Sequence, residues 1–302
     1  MRFDKLHARL KGRLPGRKSS EFAHFFSMEY TSQPSNLLDG KNIERMHGFN
    51  PTPYYWSSAP NNSTPALSYA DAVSSIAPIV AEEANRYGGE APYWVPDWES
   101  FWPQHGQADA FDGYAPIDPA GPPFPTTATH VQRFADSMVN IRAALVANGR
   151  GSKKLGFYGV LPIDAWSTTM STPGSEQFIR QTAAMQIAEY DDLIAAVDFI
   201  TSTSYLLSNW DANYIAHLTN NYRAAKARAP NTPLYIWTCP QYTAGPGIGT
   251  FMNMTDWRMV LDLVHAEADG IILWGGAGFG SPPAFSTSAE WWVEYLDWKA
   301  GL

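Results

Sequence analysis

The 302-residue chain has little cysteine and little charge. It contains one cysteine, Cys239, so no disulfide can form within the chain. Charged residues make up 17% of the sequence, against about 25% in an average globular domain. No apolar run approaches the roughly 20 residues that a membrane-spanning helix requires. The sequence therefore excludes a disulfide-stabilised scaffold and a membrane span.

Motifs for metals, cofactors and common nucleophiles are also missing. The seven histidines show no spacing typical of metal ligands, and a single cysteine supplies no ligand pair. The glycine-rich stretches 245–249 and 275–280 lack the Gly-Lys-Ser/Thr ending of a phosphate-binding loop, so they indicate flexible turns. No Gly-x-Ser-x-Gly elbow occurs. We therefore expect no metal, no cofactor and no serine nucleophile.

The basic residues are concentrated at the amino terminus. Residues 1–20 hold seven basic side chains and one acid, whereas residues 21–302 hold 14 basic and 28 acidic side chains. Such an acidic body is unsuited to the phosphates of nucleic acid, so no nucleic-acid partner is expected. The basic segment lacks the apolar core of a secretory signal. We expect residues 1–20 to form a solvated, partly disordered tail and residues 21–302 to form one domain.

Aromatic residues, glycine and proline are abundant: the chain has 12 Trp, 15 Tyr and 15 Phe beside 23 Gly and 23 Pro. This aromatic content excludes intrinsic disorder. Short apolar segments predict strands at 24–30, 93–99, 154–161, 198–205, 233–239 and 270–275, with a weaker one at 46–50. Amphipathic segments between them predict helices at 68–87, 129–148, 174–195, 211–229, 255–268 and 288–299.

This alternation of strands and helices is typical of βαβ units in a parallel sheet. Asp211 and Thr255 are candidate helix caps, and Asn148-Gly149 is a typical helix end. Six or seven units without a linker favour an α/β fold of the (β/α) TIM-like barrel type. An open, doubly wound sheet is the alternative. In a barrel, the loops after the strands would carry the site.

Two acidic residues stand at the end of a predicted strand. Asp97 and Glu99 are two residues apart, so strand alternation directs both side chains to the same side. Their proximity should raise the pKa of one carboxyl group, and nearby aromatics such as Trp98 and Trp102 would desolvate the pair further. A neutral acid beside an ionised one suits glycoside hydrolysis. Tryptophan and tyrosine rings also bind the apolar faces of sugars.

The segment 97–103, Asp-Trp-Glu-Ser-Phe-Trp-Pro, resembles the Asp-Trp-Glu-x-Trp-Arg-Pro signature of the hyaluronidase family of glycoside hydrolases. Residues 270–275, Gly-Ile-Ile-Leu-Trp-Gly, are similar to the family's last strand. Segments 48–55, 156–162 and 201–205 match other family strands in the same order. The resemblance covers about residues 45–280 and implies a distorted barrel of seven strands. It also implies retaining hydrolysis of β-linked N-acetylhexosaminides.

The resemblance implies a role for each matching residue. Glu99 would be the general acid and then the base, while Asp97 would orient the acetamido group of the substrate, which acts as the nucleophile. Tyr205 would donate a hydrogen bond to the acetamido oxygen. The substrate-binding residues would be Trp274, Trp98, Trp102, Tyr158 and Tyr55, and a further family tyrosine falls on either Trp237 or Tyr242.

Departures from the family narrow the expected substrate. Trp102 replaces the arginine of the signature, and the family's Pro-Asp-Cys-Tyr region reads Pro-Ile-Asp-Ala-Trp at 162–166. An acidic body that lacks this arginine is unsuited to the polyanion hyaluronan, so a neutral or mixed N-acetylhexosamine polysaccharide is expected. The missing cysteines favour a divergent microbial member, and the family setting favours a secreted protein.

Two other functions stay open. The Trp102 replacement is compatible with a carbohydrate-binding barrel that has lost catalysis. The Asp-x-Glu tripeptide is also short enough to occur in an unrelated barrel enzyme, such as a lyase or an isomerase.

Overall fold

The computed structural model describes residues 22–28, 36–49, 69–86, 91–96, 128–158, 187–206, 210–243, 247–275 and 285–302. The strands are β1 (Ala23–Met28), β2 (Glu44–Phe49), β3 (Tyr93–Pro96), β4 (Lys154–Leu155), β5 (Ile200–Thr203), β6 (Leu234–Thr238) and β7 (Gly270–Gly275). The helices are α1 (Tyr69–Arg86), α2 (Ala128–Ala147), α3 (Tyr190–Ala195), α4 (Ala212–Arg228), α5 (Met254–Glu267) and α6 (Glu290–Ala300). None of these helices is long and apolar enough to cross a membrane.

The seven strands form one parallel sheet in the order β4-β3-β2-β1-β7-β6-β5. Neighbouring strands are consecutive in the chain except at the centre, where the first and last strands pair. This cyclic order is that of a barrel, and the sheet curls strongly into a TIM-like half-barrel. The predicted α/β class and TIM-like architecture are confirmed. The alternative of an open, doubly wound sheet is wrong.

The two edge strands, β4 and β5, meet through three hydrogen bonds. The backbone N–H of Asp198 donates to the Leu155 carbonyl at 2.7 Å, and the Leu155 N–H donates to the Asp198 carboxylate at 2.9 Å. The Thr201 hydroxyl donates to the Phe157 carbonyl at 2.6 Å. Burial raises the pKa of Asp198, but the Leu155 N–H and the Arg142 guanidinium outweigh it, so this pKa lies below its ordinary value. An ionised carboxylate thus joins the edges.

Aromatic rings fill the lower interior of the barrel. Phe25 of β1 lies 4.6 Å from Tyr93 and 4.7 Å from Tyr235, measured between ring centroids. Phe199, just before β5, lies 5.1 Å from Tyr235. Gly156 makes room for this layer, because a Cβ atom there would lie 2.1 Å from the Phe199 ring. The inward positions of β1, β3 and β6 therefore carry the core rings.

The outward faces of the strands pack against helices. Phe26 of β1 contacts Trp292 of α6 at a centroid distance of 5.9 Å. His24, on the same face of β1, lies 2.8 Å from the Tyr295 hydroxyl of α6, measured from its Nδ1 atom. Alternation along β1 therefore sends residues 24 and 26 to the helix layer and Phe25 to the interior.

Strand β4 ends at Leu155, whereas the predicted strand 154–161 continues through residues 156–158; residues 159–161 lie outside the described residues. Hydrogen bonds continue past Leu155, from the Gly156 N–H to the Trp94 carbonyl at 3.0 Å and from the Tyr158 N–H to the Pro96 carbonyl at 3.3 Å. Pro96 has no N–H to return, however, so the regular ladder ends. Strand β5 spans four residues rather than the predicted 198–205. Residues 97–99 of the predicted third strand lie outside the described residues.

The predicted helix 174–195 is wrong over residues 187–189. Those residues form a turn in which the N–H groups of Tyr190 and Asp191 bond to carbonyls three residues earlier. Helix α3 then begins at Tyr190, where two acidic side chains in its first turn favour a helix amino terminus. Residues 174–186 lie outside the described residues.

Of the three predicted helix boundaries, two are confirmed and one is wrong. Asp211 caps α4 as predicted, because its carboxylate accepts the N–H groups of Asn213 and Tyr214, each at 2.9 Å. Thr255 is wrong as a cap, since Asn253 accepts the Asp256 N–H instead. Helix α2 ends as the Asn148-Gly149 pair predicts: Gly149 has φ 69° and closes the last turn.

Candidate active site

Four aromatic side chains lie together at the carboxyl ends of the strands. Tyr158 follows β4, Tyr205 follows β5, Trp237 lies in β6 and Trp274 lies in β7. We call these four residues the mouth cluster. All four side chains point to the same inward side as the rings of the lower layer. On β6, for example, Trp237 is two residues after the inward Tyr235. In TIM-like barrels the carboxyl ends of the strands carry the site.

A hydrogen bond joins the two tyrosines of the mouth cluster. The Tyr158 hydroxyl donates to the Tyr205 hydroxyl oxygen at 3.0 Å, and both side chains are buried. The Tyr205 backbone is held from outside the barrel, since its carbonyl accepts the hydroxyl of Tyr214 in α4. Both hydroxyl groups are therefore fixed in place before any ligand binds.

Trp274 packs against Tyr205 and is the more exposed of the two. Their ring centroids are 5.4 Å apart, with 34° between the ring planes. Trp274 is half-buried, whereas Tyr205 is buried. A half-buried indole supported by a fixed ring offers a flat apolar surface, to which the C–H face of a sugar binds well.

Trp237 lies across the interior of the barrel. Its ring contacts Tyr158 edge to face, at a centroid distance of 5.4 Å. A Cβ atom at Gly48 of β2 would lie 3.8 Å from the far end of the indole and 3.9 Å from the Ser27 hydroxyl oxygen. Trp237 therefore reaches from β6 towards β2, past two intervening strands. The indole Nε1 is buried and has no hydrogen-bond partner among the described residues.

Tyr242 belongs to a different cluster. Its hydroxyl donates to the Asp256 carboxylate at 2.5 Å. The same carboxylate oxygen of Asp256 accepts hydrogen bonds from the Trp210 indole N–H at 3.2 Å and from the Asn253 side-chain amide at 3.0 Å. Burial, together with the Asp256 carboxylate, raises the pKa of Tyr242 to about 12. Of the two positions left open by the sequence, Trp237 lies in the mouth cluster, whereas the hydroxyl of Tyr242 is committed to Asp256.

The described inward side chains at the mouth are neutral. They are Ser27, Tyr158, Thr203, Tyr205, Trp237 and Trp274, and none carries a charge at neutral pH. Cys239 follows β6, and burial raises the pKa of its thiol to about 12, which disfavours a thiolate nucleophile. Among the described residues no group of three or more His, Cys, Asp or Glu side chains is arranged to hold a metal ion.

Five of the predicted site residues lie outside the described residues: Asp97, Glu99, Trp98, Trp102 and Tyr55. The structure adds two positions that the sequence did not indicate: Gly48, which borders Trp237, and Ser27, whose hydroxyl borders Gly48. A glycine at the end of a predicted strand was the available signal for Gly48, because it marks a close approach of another group. Asp256 was also missed, since its role depends on Tyr242 and Trp210, which are far from it in sequence.

Comparison with known proteins supports the fold. No protein-family model matches the sequence, and a search of curated proteins finds no match. Among solved structures, bee venom hyaluronidase is similar over 93% of this chain and 96% of its own, with a TM-score of 0.55 and 12% sequence identity. The same enzyme in complex with a hyaluronic acid tetramer is similar over 93% and 95%, with a TM-score of 0.54 and 13% identity. The chain therefore has a glycoside hydrolase-like TIM-barrel fold.

Proposed function

We propose that the protein is a glycoside hydrolase that cleaves β-linked N-acetylhexosaminide polysaccharides with retention. In this proposal Glu99 is the acid and base, Asp97 orients the acetamido group, and the mouth cluster holds the sugar. The observation that carries the proposal is the pair of fixed tyrosine hydroxyls beside a half-buried indole, at the carboxyl ends of the strands.

The backbone of β3 connects this cluster to the two acidic residues. The Tyr158 N–H donates to the carbonyl of Pro96, which directly precedes Asp97 in the chain. Tyr93 of β3 faces the barrel interior, where it contacts Phe25. If the alternation of β3 continues, residues 97 and 99 share this inward face. The proposal therefore requires the carboxyl groups to enter the same space as the Tyr158 and Tyr205 hydroxyls.

The mechanism assigns one proton and one nucleophile. Glu99 donates its proton to the leaving glycosidic oxygen, while the acetamido oxygen of the substrate attacks the anomeric carbon from the opposite face. Asp97 stabilises the positive charge that develops on the acetamido nitrogen. Tyr205 donates a hydrogen bond to the acetamido group, and Tyr158 fixes the Tyr205 oxygen. Glu99 then deprotonates the water that opens the cyclic intermediate, which restores the original configuration.

The substrate follows from the neutral lining of the mouth. Hyaluronan carries a carboxylate in each repeat, and burying an unpaired carboxylate costs far more than burying a hydroxyl group. The described mouth offers hydroxyl and indole groups but no cationic side chain. We therefore favour a glycan of neutral N-acetylhexosamine units over hyaluronan, although the similar bee venom enzyme was solved with a hyaluronic acid tetramer.

The decisive variant is Glu99→Gln, which keeps the shape of the side chain and removes its titrating proton. Release of reducing ends from chitin-type, peptidoglycan-type, chondroitin and hyaluronan polymers should be screened first with the unaltered protein. On the polymer that is cleaved, the variant should be slower by about 10²–10⁴-fold, the usual share of general acid catalysis.

Glu290→Gln is the matched control, because it makes the same chemical change at an exposed residue of α6. It should retain full activity. Full activity in Glu99→Gln would contradict the assignment. Binding of glycans by the unaltered protein without turnover of any of them would instead support the carbohydrate-binding alternative.

A further inference from the structure

The carboxylate of Asp256 accepts hydrogen bonds from two loops at the same end of the barrel. Asp256 lies in the first turn of α5 and is 8% exposed. One of its oxygens accepts the Tyr242 hydroxyl at 2.5 Å, the Trp210 indole N–H at 3.2 Å and the Asn253 side-chain amide at 3.0 Å. Trp210 belongs to the loop that follows β5, whereas Tyr242 and Asn253 belong to the loop that follows β6. A single carboxylate oxygen therefore joins the two loops.

A second contact joins the same loops next to Tyr205 of the mouth cluster. The carbonyl of Leu206 accepts the Thr243 backbone N–H at 3.0 Å and the Thr243 hydroxyl at 3.3 Å. Leu206 directly follows Tyr205 in the chain, and both residues are buried. Thr243 directly follows Tyr242, which is bonded to Asp256. The loop after β5 is therefore attached to the loop after β6 in two places.

The loop after β6 is a firm support, because its backbone forms a hairpin. The Tyr242 N–H donates to the Thr250 carbonyl at 3.0 Å, and the Gly249 N–H donates to the Tyr242 carbonyl at 2.8 Å. The Met252 N–H donates to the Pro240 carbonyl at 2.9 Å. The backbone of Tyr242 is therefore held through both its N–H and its carbonyl group. Through its hydroxyl, Asp256 connects this hairpin to the loop that contains Trp210.

The negative charge of Asp256 strengthens the attachment. The three side chains that donate to its carboxylate are neutral, and a hydrogen bond to an ionised acceptor is roughly twice as strong as one between neutral groups. The amino terminus of α5 also favours a negative charge in its first turn. Because Tyr242 and Trp210 donate to the same oxygen, loss of the charge weakens both bonds together.

We propose that Asp256 is a positioning residue that holds the joined loops together and so fixes the Tyr205 hydroxyl in the mouth of the barrel. This inference rests on the proposed glycosidase function, in which that hydroxyl donates to the acetamido group of the substrate. Asp256 acts through Thr243 and Leu206 rather than on the substrate. Loss of its charge should therefore slow the chemical step more than it weakens substrate binding.

The test compares Asp256→Asn with Asp262→Asn, each of which keeps the shape of the side chain and removes its charge. Asp262 is the matched control because it lies in the same helix and also accepts an indole N–H, that of Trp298 at 3.0 Å. That bond joins α5 to α6 instead of joining the two loops. Any general loss of stability should therefore affect both variants.

On the polymer that the unaltered protein cleaves, we expect Asp256→Asn to lower kcat with little change in KM. The loss should be about 10- to 100-fold, because a misplacement of about 1 Å can cost 10²-fold. Asp262→Asn should leave kcat and KM unchanged. Should Asp256→Asn not fold, Tyr242→Phe replaces it, since it removes the shortest of the three bonds to the carboxylate. An unchanged kcat would overturn the positioning role.

A double variant separates positioning from a general loss of stability. In Tyr205→Phe the hydroxyl that Asp256 positions is absent, so adding Asp256→Asn should lower kcat little further. Independent effects would instead be additive in free energy, and their fold-losses would multiply. Losses that multiply would therefore overturn the inference.

Hydrogen exchange of the Thr243 amide provides a readout that needs no substrate. This N–H is bonded to the Leu206 carbonyl, so its exchange rate reports on the contact between the two loops. In NMR measurements on the full-length protein, Asp256→Asn should speed its exchange by about 5- to 10-fold, whereas Asp262→Asn should not. An unchanged rate in Asp256→Asn would overturn this inference alone. Failure of the unaltered protein to cleave any glycan would overturn the proposed function, and the role of Asp256 in catalysis with it.

Discussion

The hydroxyl groups of Tyr158 and Tyr205 are 3.0 Å apart, although they follow the two edge strands of the sheet. Strands β4 and β5 share no regular ladder, and their contact depends on Asp198, Thr201 and this tyrosine pair. The same hydrogen bond thus helps close the barrel and fixes two groups of the candidate active site. The contact between the two edge strands and the geometry of the candidate active site are therefore linked at this point.

This link predicts coupled effects of the two tyrosines on activity. Tyr205→Phe should lower kcat by about 10²-fold or more, the range found when one donor to a developing charge is removed. Tyr158→Phe should lower it less, because we assign this hydroxyl to holding Tyr205. In the double variant the loss in kcat/KM, expressed as free energy, should differ from the sum of the single losses by at least about 0.5 kcal/mol.

The matched control for these variants is Tyr190→Phe. Tyr190 is the first residue of α3, and its buried hydroxyl has no hydrogen-bond partner among the described residues, so its removal should leave kcat unchanged and stability equal or higher. Strict additivity of Tyr158→Phe and Tyr205→Phe would show that the 3.0 Å contact carries no functional coupling.

A stability prediction concerns the glycine that admits Phe199 to the barrel interior. In Gly156→Ala the new Cβ would lie 2.1 Å from the Phe199 ring, so the ring or the backbone at residue 156 must move. Overpacking of this kind costs about 1–3 kcal/mol of unfolding free energy. Gly48→Ala is the control, since its Cβ would meet nothing closer than 3.8 Å. Urea unfolding should show a clear loss for the first variant and little change for the second; equal midpoints would contradict the packing argument.

The pH dependence of stability should contain a contribution from His24. Burial, followed by the charges of Lys299 and His265, lowers the pKa of His24 to about 3, against 6.5 for an exposed histidine. Between these values the unfolded chain binds more protons than the folded one, so the free energy of unfolding falls as the pH falls. The slope for one group is at most about 1.4 kcal/mol per pH unit.

This contribution is isolated by subtracting the stability of a variant. His24→Asn removes the titrating ring but keeps an amide near the Tyr295 hydroxyl. The unfolding free energy of the variant minus that of the unaltered protein should be constant above pH 7. It should rise as the pH falls from 6.5 to 4, because only the unaltered protein loses stability through His24. A difference that stays constant over this range would show that His24 is not held neutral by the fold.

The sequence was sufficient to predict the barrel because each strand carries its own signal. Continuous apolar runs such as residues 270–275 indicate strands covered on both faces, and the helices between them are strongly periodic. The limits of β4 were harder to predict, since the ladder ends through the missing N–H of Pro96 on the neighbouring strand. A strand boundary that depends on a partner distant in sequence leaves no local pattern.

In the candidate site, too, local sequence patterns could be recognised, whereas contacts between residues distant in sequence could not. The resemblance selected Tyr158, Tyr205 and Trp274, and the structure brings these three together. It could not choose between Trp237 and Tyr242, because only the fold shows that the Tyr242 hydroxyl is bonded to Asp256. Nor could a sequence indicate that the indole N–H of Trp237 has no partner among the described residues, since that depends on every strand around it.

The central claim is that the substrate's own acetamido oxygen is the nucleophile. The most direct test is kcat/KM for a series of aryl β-glycosides of the cleaved N-acetylhexosamine oligomer, in which the acetamido methyl carries zero, one, two or three fluorine atoms. Fluorine withdraws electrons from the amide oxygen, so the account predicts a steep, regular fall in kcat/KM along the series. A rate that is independent of fluorine content would contradict the account and indicate a nucleophile supplied by the protein.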